Sequence, residues 1–136
     1  MPTTDPVLID THALLWWRAE SEQLSSTARS RLENASIVLV SPMTLWEIAM
    51  LAGKGRIVLD RSAAQWSRDV LTEGDVELTL IDERIAVLAA EVAPFHGDPV
   101  DRILVATARL RRVPLVTKDR LISAYATAST ELDVVW

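Results

Sequence analysis

The stretch Val7-Leu8-Ile9-Asp10 decides the fold class. Three consecutive apolar residues are typical of a strand that is buried on both faces. Helix-type sequence follows at Ala13–Arg18, and an apolar run followed by a helix returns several times along the chain. This alternation, without period-two polarity in the strands, predicts an α/β fold in which helices cover both faces of a parallel sheet.

Local start and stop signals place the other elements. Ser41-Pro42 is typical of an N-cap followed by proline at the first helical position, and Gly53-Lys54-Gly55 ends that helix. Pro94–Gly97 is predicted to break the chain between two helices. The predicted strands are 7–9, 37–40, 78–80, 115–116 and 134–136, and the predicted helices are 13–18, 26–34, 42–52, 63–72, 82–93, 99–111 and 120–124.

Composition limits the class of protein. The 136 residues, 49% hydrophobic and 24% charged, suit one globular domain over 1–136. Cysteine is absent, which excludes disulfides, thiolate nucleophiles and cysteine-based metal sites. The longest apolar run, 85–90, is far below the ~18 residues that cross a membrane, so we expect a cytoplasmic protein. The net charge of −5 argues against a generally basic nucleic-acid binder.

Two carboxylates directly follow predicted strands. Asp10 ends the first strand, and Asp119 comes shortly after the strand at 115–116. In a parallel sheet both side chains project toward the same edge, where such sheets bind ligands. Each aspartate also has a structural interpretation, as the N-cap of the helix that follows it.

Three more acids stand within or at the start of helices. Glu47 lies in a helix that is apolar nearly all round, which we expect to be largely buried, so its carboxylate needs either a cation or a salt bridge to an arginine. Asp98-Pro99 is good helix-start chemistry, and we interpret Asp98 as mainly structural. Asp101 shares an apolar stripe with Leu104 and is interpreted as mainly functional.

Together, Asp10, Glu47, Asp101 and Asp119 are predicted to converge on one cleft. Four carboxylates with few cations nearby repel one another strongly, and a hard divalent cation such as Mg²⁺ relieves that repulsion. Such a site supports metal-assisted hydrolysis of a phosphodiester. We therefore predict these four acids as both the catalytic and the metal-binding residues.

At these residues the chain resembles the PIN-domain ribonucleases of the VapC type, which are toxins of bacterial toxin–antitoxin pairs. The resemblance spans nearly the whole chain. It implies a three-layer α/β/α sandwich with a central, mainly parallel sheet of about five strands. The blocks that carry it, in the family's order and spacing, are Ile9-Asp10-Thr11-His12 with Leu15-Trp16, Leu45-Trp46-Glu47-Ile48-Ala49, Gly55-Arg56-Ile57, His96-Gly97-Asp98-Pro99-Val100-Asp101-Arg102, Pro114-Leu115-Val116-Thr117-Lys118-Asp119 and Trp136.

The resemblance also implies an activity and partners. It implies an endoribonuclease that depends on Mg²⁺ or Mn²⁺, with Asp98 as a supporting acid and Thr117 as a polar neighbour of the four acids. The implied partners are an RNA substrate, a second copy of the chain in a homodimer, and a cognate VapB-type antitoxin. In such pairs the antitoxin's tail covers the active groove, often with an arginine that reaches toward the acids.

Several neighbouring residues carry weaker signals. His12 is interpreted as a supporting residue that touches the substrate or supports the sheet edge. Arg102 and Lys118 are predicted to contact substrate phosphates, and they belong to a segment, 102–136, with six basic and three acidic residues. Trp16 and Trp46 can stack on RNA bases, but we favour a place in the core or in an oligomer interface.

Two other classes of protein stay open from the residues alone. A catalytically silent PIN-like module would bind RNA or a protein, and the loss of one acid would favour it, but all four are present. A phosphoryl-accepting receiver or a phosphatase would use Thr117-Lys118. A receiver, however, needs a nucleophilic aspartate at the end of a central strand, and a phosphatase of the D-x-D type needs an acid where His12 stands.

Overall fold

Residues 7–9 form the central strand of a five-stranded sheet. The computed structural model of the protein describes residues 5–92 and 97–136, so positions 94–96 of the predicted break at Pro94–Gly97, including His96, lie outside the described residues. The elements are β1 (Val7–Ile9), α1 (Thr11–Arg18), α2 (Ser26–Asn34), β2 (Val38–Val40), α3 (Pro42–Gly53), α4 (Ala63–Leu71), β3 (Val76–Leu78), α5 (Glu83–Glu91), α6 (Pro99–Arg111), β4 (Leu115–Val116), α7 (Arg120–Ala128) and β5 (Val134–Val135).

The strand order is β3-β2-β1-β4-β5, and every pair is parallel. The chain therefore builds outward from β1 in one direction and then returns to build outward in the other. In open parallel sheets, ligands bind outside the carboxyl ends of the strands at this point of reversal. Here the reversal lies between β1 and β4, and the residues that follow these two strands meet there.

The core has one apolar layer on each face of the sheet, which confirms the three-layer arrangement. Val7 and Ile9 pack with α1 to α4, whereas Leu8 packs with α6 and α7. All three side chains are fully buried. Burial of each contributes about 1.5–3 kcal/mol, so the layers hold the ends of β1 and β4 in fixed positions. Helix α5 adds a smaller cluster against α6.

Most predicted elements are confirmed to within two residues at each end, but one strand is displaced as a whole and one helix is clearly longer. Strand β3 lies at Val76–Leu78 rather than at 78–80, because its register is set by pairing of Val76 with Val38 of β2. Helix α7 continues to Ala128, four residues beyond its predicted end.

The prediction that α3 is largely buried is wrong. Only Thr44 and Ile48 of this helix are buried, and the indole of Trp46 is 54% exposed. The helix packs through one side against α1, α4 and α6, and its other apolar side chains are left partly open. Among residues 5–92 and 97–136, no helix has the length and apolar character needed to cross a bilayer.

Candidate active site

Asp10 is buried at the carboxyl end of β1. One of its carboxylate oxygens accepts a hydrogen bond of 2.8 Å from the backbone N–H of Ala13, as the N-cap of α1. The other oxygen accepts a hydrogen bond from the hydroxyl of Thr117, which follows β4. Asp10 is therefore a helix cap and also part of the polar edge of the sheet. Burial raises the pKa of its carboxyl, although both hydrogen bonds act in the opposite direction.

Asp119 and Asp98 are N-caps as well. One oxygen of Asp119 accepts a hydrogen bond of 2.9 Å from the N–H of Ile122 at the start of α7. One oxygen of Asp98 accepts a bond of the same length from the N–H of Asp101 at the start of α6. In each case the cap uses one of the two carboxylate oxygens. The structural and functional interpretations are therefore compatible in the same side chain.

Asp101 carries the clearest electrostatic signal in the molecule. Its carboxyl is partly buried, and its pKa is raised to about 8, first by burial and then by repulsion from the carboxylates of Asp98, Asp119, Glu47 and Asp10. The same five acids line one cleft. The structure thus brings together all five acids that we selected from the sequence.

Glu47 reaches this cluster from α3. Its side chain is half-buried, and none of the ion pairs among the described residues includes it. The predicted alternative, a salt bridge between Glu47 and an arginine, is therefore not found in the described part of the chain. Its carboxylate lines the cleft instead.

Three helix N-termini point toward the cluster, because α1, α6 and α7 each begin at one of its aspartates. The partial positive charge at a helix N-terminus stabilises a nearby carboxylate by about 0.3–1 kcal/mol. This contribution offsets part of the mutual repulsion. Because the offset is only partial, the cleft stays strongly negative, which suits a cation.

The cleft has a volume of about 310 Å³. Besides the acids, it is lined by His12 and Lys118, both exposed, and by two residues that the sequence analysis did not place in the site, Thr11 and Trp16. The hydroxyl of Thr11 is buried and has no hydrogen-bond partner among the described residues. Its position directly after a strand-end aspartate was the signal that could have identified it.

Arg102 does not reach the cleft. Its guanidinium donates hydrogen bonds of 2.7–3.0 Å to the backbone carbonyls of Ala89, Ala90 and Val92, at the end of α5. These three bonds hold the side chain against the neighbouring helix and commit its donors there. We therefore do not keep the predicted phosphate contact for Arg102, and Lys118 is the predicted phosphate-binding residue that does line the cleft.

The chemistry of these side chains fits a hard divalent cation, although the described side chains do not form a complete coordination cage. In the described ranges, no three acidic or histidine side chains lie close enough, as placed, to hold a metal ion by themselves. Mg²⁺ takes one or two carboxylates directly and keeps several waters, so it does not require such a preformed cage. Oxygen-only ligands and the grouping of negative charges in one cleft both favour such an ion.

Comparison with known proteins agrees with this fold. The PIN domain profile matches residues 7–128. Ribonuclease VapC22 of Mycobacterium tuberculosis is 34% identical over 119 residues, which cover 88% of this chain and 91% of that protein. The chain therefore belongs to the PIN-domain family, in its VapC branch.

Solved structures share the fold at lower sequence identity. VapBC2 of Rickettsia felis, bound to a DNA fragment from its promoter, superposes with a TM-score of 0.64 at 13% identity and covers 96% of this chain and 99% of that chain. VapBC-1 of nontypeable Haemophilus influenzae gives a TM-score of 0.64 at 17% identity, with 95% and 96% covered. These matches support the architecture of the whole chain.

Proposed function

We propose that the protein is a toxin of the VapBC type that cleaves RNA at phosphodiester bonds with the help of a divalent cation, Mg²⁺ or Mn²⁺. The observation that carries the proposal is the set of carboxylates that line one cleft at the point where the strand order reverses. The 34% identity to a protein named as a ribonuclease supports the choice of RNA as the substrate. Its action would take place in the cytoplasm, where RNA is made and used.

In this proposal Asp10, Glu47, Asp101 and Asp119 hold the cation, directly or through water. When bound, the cation supplies an activated water and offsets the charge that develops on the phosphate. The hydroxyl of Thr117 keeps the carboxylate of Asp10 in one orientation, because it donates to the oxygen that does not cap α1.

Other side chains of the cleft have roles in positioning and binding. Asp98 supports Asp101 through its bond to the backbone N–H of that residue. Lys118 and His12 lie exposed at the rim of the cleft, where a positively charged or hydrogen-bond-donating side chain can contact the RNA backbone.

We also propose two protein partners. A VapB-type antitoxin would cover the acid cleft, with an arginine paired to the carboxylates, and the similarity to VapBC complexes supports this partner.

A second copy of the chain would cover the open side of α3. Trp46 and Ala49 are exposed there on an otherwise apolar helix, and exposed tryptophan is enriched in protein interfaces. Sedimentation of the wild type and of Trp46→Ala tests the homodimer: the wild type should sediment as a dimer and the variant as a monomer.

The cleavage proposal is tested with purified protein and total bacterial RNA, in Mg²⁺ or Mn²⁺ and in a chelator. We expect cleavage only with the cation, and loss of cleavage in Asp10→Asn. The matched control is Asp82→Asn, because Asp82 caps α5 in the same way but lies outside the cleft. Equal cleavage by the wild type and Asp10→Asn would overturn the proposal and favour a silent binding module.

The toxin role is tested by expression in a bacterium. The wild type alone should slow growth, Glu47→Gln should not, and co-expression of the gene product encoded next to it should restore growth. Slow growth with Glu47→Gln as well would mean that the effect does not depend on the acid cleft.

A further inference from the structure

A second groove continues from the acid cleft along α1. It has a volume of about 510 Å³, and two of its walls, His12 and Trp16, are also walls of the cleft. Its other walls include Trp66 of α4 and the segment 57–60, which joins α3 to α4. We name this cavity the tryptophan groove. Because the cleft and the groove share these two residues, the two cavities are direct neighbours on the surface.

The indole of Trp16 is held in a defined orientation at the junction of the two cavities. Its ring lies 5.8 Å from the ring of His12 and 5.8 Å from the ring of Trp136, tilted in both cases. The ammonium of Lys118 lies 5.8 Å from its centroid. Little conformational freedom remains for this ring to lose when it binds a ligand, so it suits a rigid stacking surface.

Polar groups surround the apolar walls of the groove. Arg18, Ser21 and Asp60 line it. Arg18 forms an exposed ion pair with Glu73 and lies 5.5 Å from the ring centroid of Trp17, and Asp60 forms an exposed ion pair with Arg61. Exposed ion pairs contribute about 0–1 kcal/mol, so these groups can exchange partners at low cost. Aromatic walls with hydrogen-bonding groups at the rim match a nucleobase, which has apolar faces and a polar edge.

We propose that the tryptophan groove binds the base of a nucleotide next to the scissile phosphate, and that it sets the base preference of cleavage. This inference rests on the proposed RNA-cleaving function. It is favoured over a peptide ligand by the continuity of the groove with the acid cleft. It is also favoured by Lys118, which places a positive charge at the junction, where the phosphate that links the two nucleotides would pass.

One wall of the groove is an apolar side chain with almost no cover. Val58 is 94% exposed, although it stands next to the half-buried Ile57 and Leu59. A stacked base would cover it. A substitution at Val58 therefore changes the groove without disturbing the core, which makes this residue suitable for a test.

The experiment maps cleavage of total bacterial RNA by sequencing of the new ends. It then measures kcat/KM on a single-stranded oligoribonucleotide that carries the most frequent cut, made with each of the four bases at every position beside that cut. For the wild type we expect a preference at one such position. Trp16→Leu and Val58→Glu should flatten it and lower kcat/KM for the preferred base by about tenfold, the loss typical of one stacked base.

Two controls make the result specific. Val87→Glu introduces the same charge at a 56% exposed valine of α5, outside both cavities, and should keep the preference. Thermal unfolding shows whether Trp16→Leu still folds, and Val58→Glu provides the answer if it does not.

The outcomes separate this inference from the proposed function. If the wild type cuts no RNA with either Mg²⁺ or Mn²⁺, the proposed function and the groove inference are both overturned. If it cuts and the two groove variants keep the full base preference, only the groove inference is overturned. Variants that keep the preference but escape inhibition by the antitoxin would assign the groove to a peptide and also overturn it.

Discussion

Replacement of Asp101 by asparagine should stabilise the protein in the absence of metal, and the gain should grow with pH. The pKa of this carboxyl rises from 3.8 to about 8 on folding. The folded state therefore holds the proton more tightly than the unfolded state. Below about pH 4 the carboxyl is protonated in both states and does not lower the stability. As the pH rises from about 4 to about 8, the free energy of unfolding falls progressively, because the unfolded state gives up this proton more readily than the folded state.

The magnitude follows from this interval. At about 1.4 kcal/mol per pH unit, the change corresponds to ~5–6 kcal/mol for a fully buried carboxyl. Because Asp101 is only partly buried, solvent screening reduces the expected cost of its ionisation to about 2 kcal/mol. Asparagine removes the charge and keeps the shape, so the variant should gain about this amount at pH 8.5 and about a third of it at pH 5, which lies about one unit above 3.8.

The assay is urea unfolding of the wild type and Asp101→Asn, in a chelator, at pH 5, 7 and 8.5. Glu83→Gln is the matched control, since it removes an acid from the first turn of α5, away from the cleft. Saturating Mg²⁺ at pH 8.5 should raise the stability of the wild type more than that of Asp101→Asn. A variant that is less stable than the wild type at pH 8.5 would refute the claim that the acids repel one another.

Three further predictions concern side chains around the cleft. Thr11→Val should raise the free energy of unfolding by about 1 kcal/mol, because it removes a buried hydroxyl without a partner among the described residues. Because Thr11 lines the cleft, the same variant should slow RNA cleavage about tenfold. The control is Thr44→Val, which removes a similar hydroxyl outside the cleft and should stabilise the protein without slowing cleavage. Thr117→Val should destabilise by about 2 kcal/mol, because the buried carboxylate of Asp10 loses a donor, and Thr117→Ser should restore the stability. Arg102→Ala should lower the free energy of unfolding by about 2 kcal/mol but leave the KM for RNA unchanged, because its guanidinium binds three carbonyls at the end of α5; a raised KM with unchanged stability would contradict that placement.

Local signals in the sequence are strong where one element carries its own start and stop. Helix α3 begins after Ser41 at Pro42 and ends at Gly53, as its capping residues predict. Strand β1 coincides with the apolar run that ends at Asp10. In both cases the deciding interactions lie within a few residues of each other, so the sequence alone is sufficient.

Features that depend on distant partners could not be predicted in this way. The position of β3 depends on its register with β2, which is a tertiary contact. The exposure of Trp46 depends on which side of α3 meets the neighbouring helices. The role of Arg102 depends on where α5 ends in space.

The grouping of the acids was predictable because the topology of a parallel sheet brings strand ends together. Asp10 and Asp119 follow β1 and β4, which are neighbours in the sheet, and Asp101 and Glu47 stand on the apolar faces of their helices. The sequence could not show that Thr11 lines the same cleft with an unpartnered hydroxyl, because that depends on the packing around α1.

The central claim is that acids from separate elements act as one site for a divalent cation. Calorimetric titration of Mn²⁺ into the wild type and Glu47→Gln at pH 7.5 tests it most directly, because Glu47 caps no helix and its substitution leaves the other acids in place. The account predicts saturable binding to the wild type that weakens at least about tenfold in the variant. Equal affinity in both proteins, or no binding to the wild type at any pH up to 8.5, would contradict it.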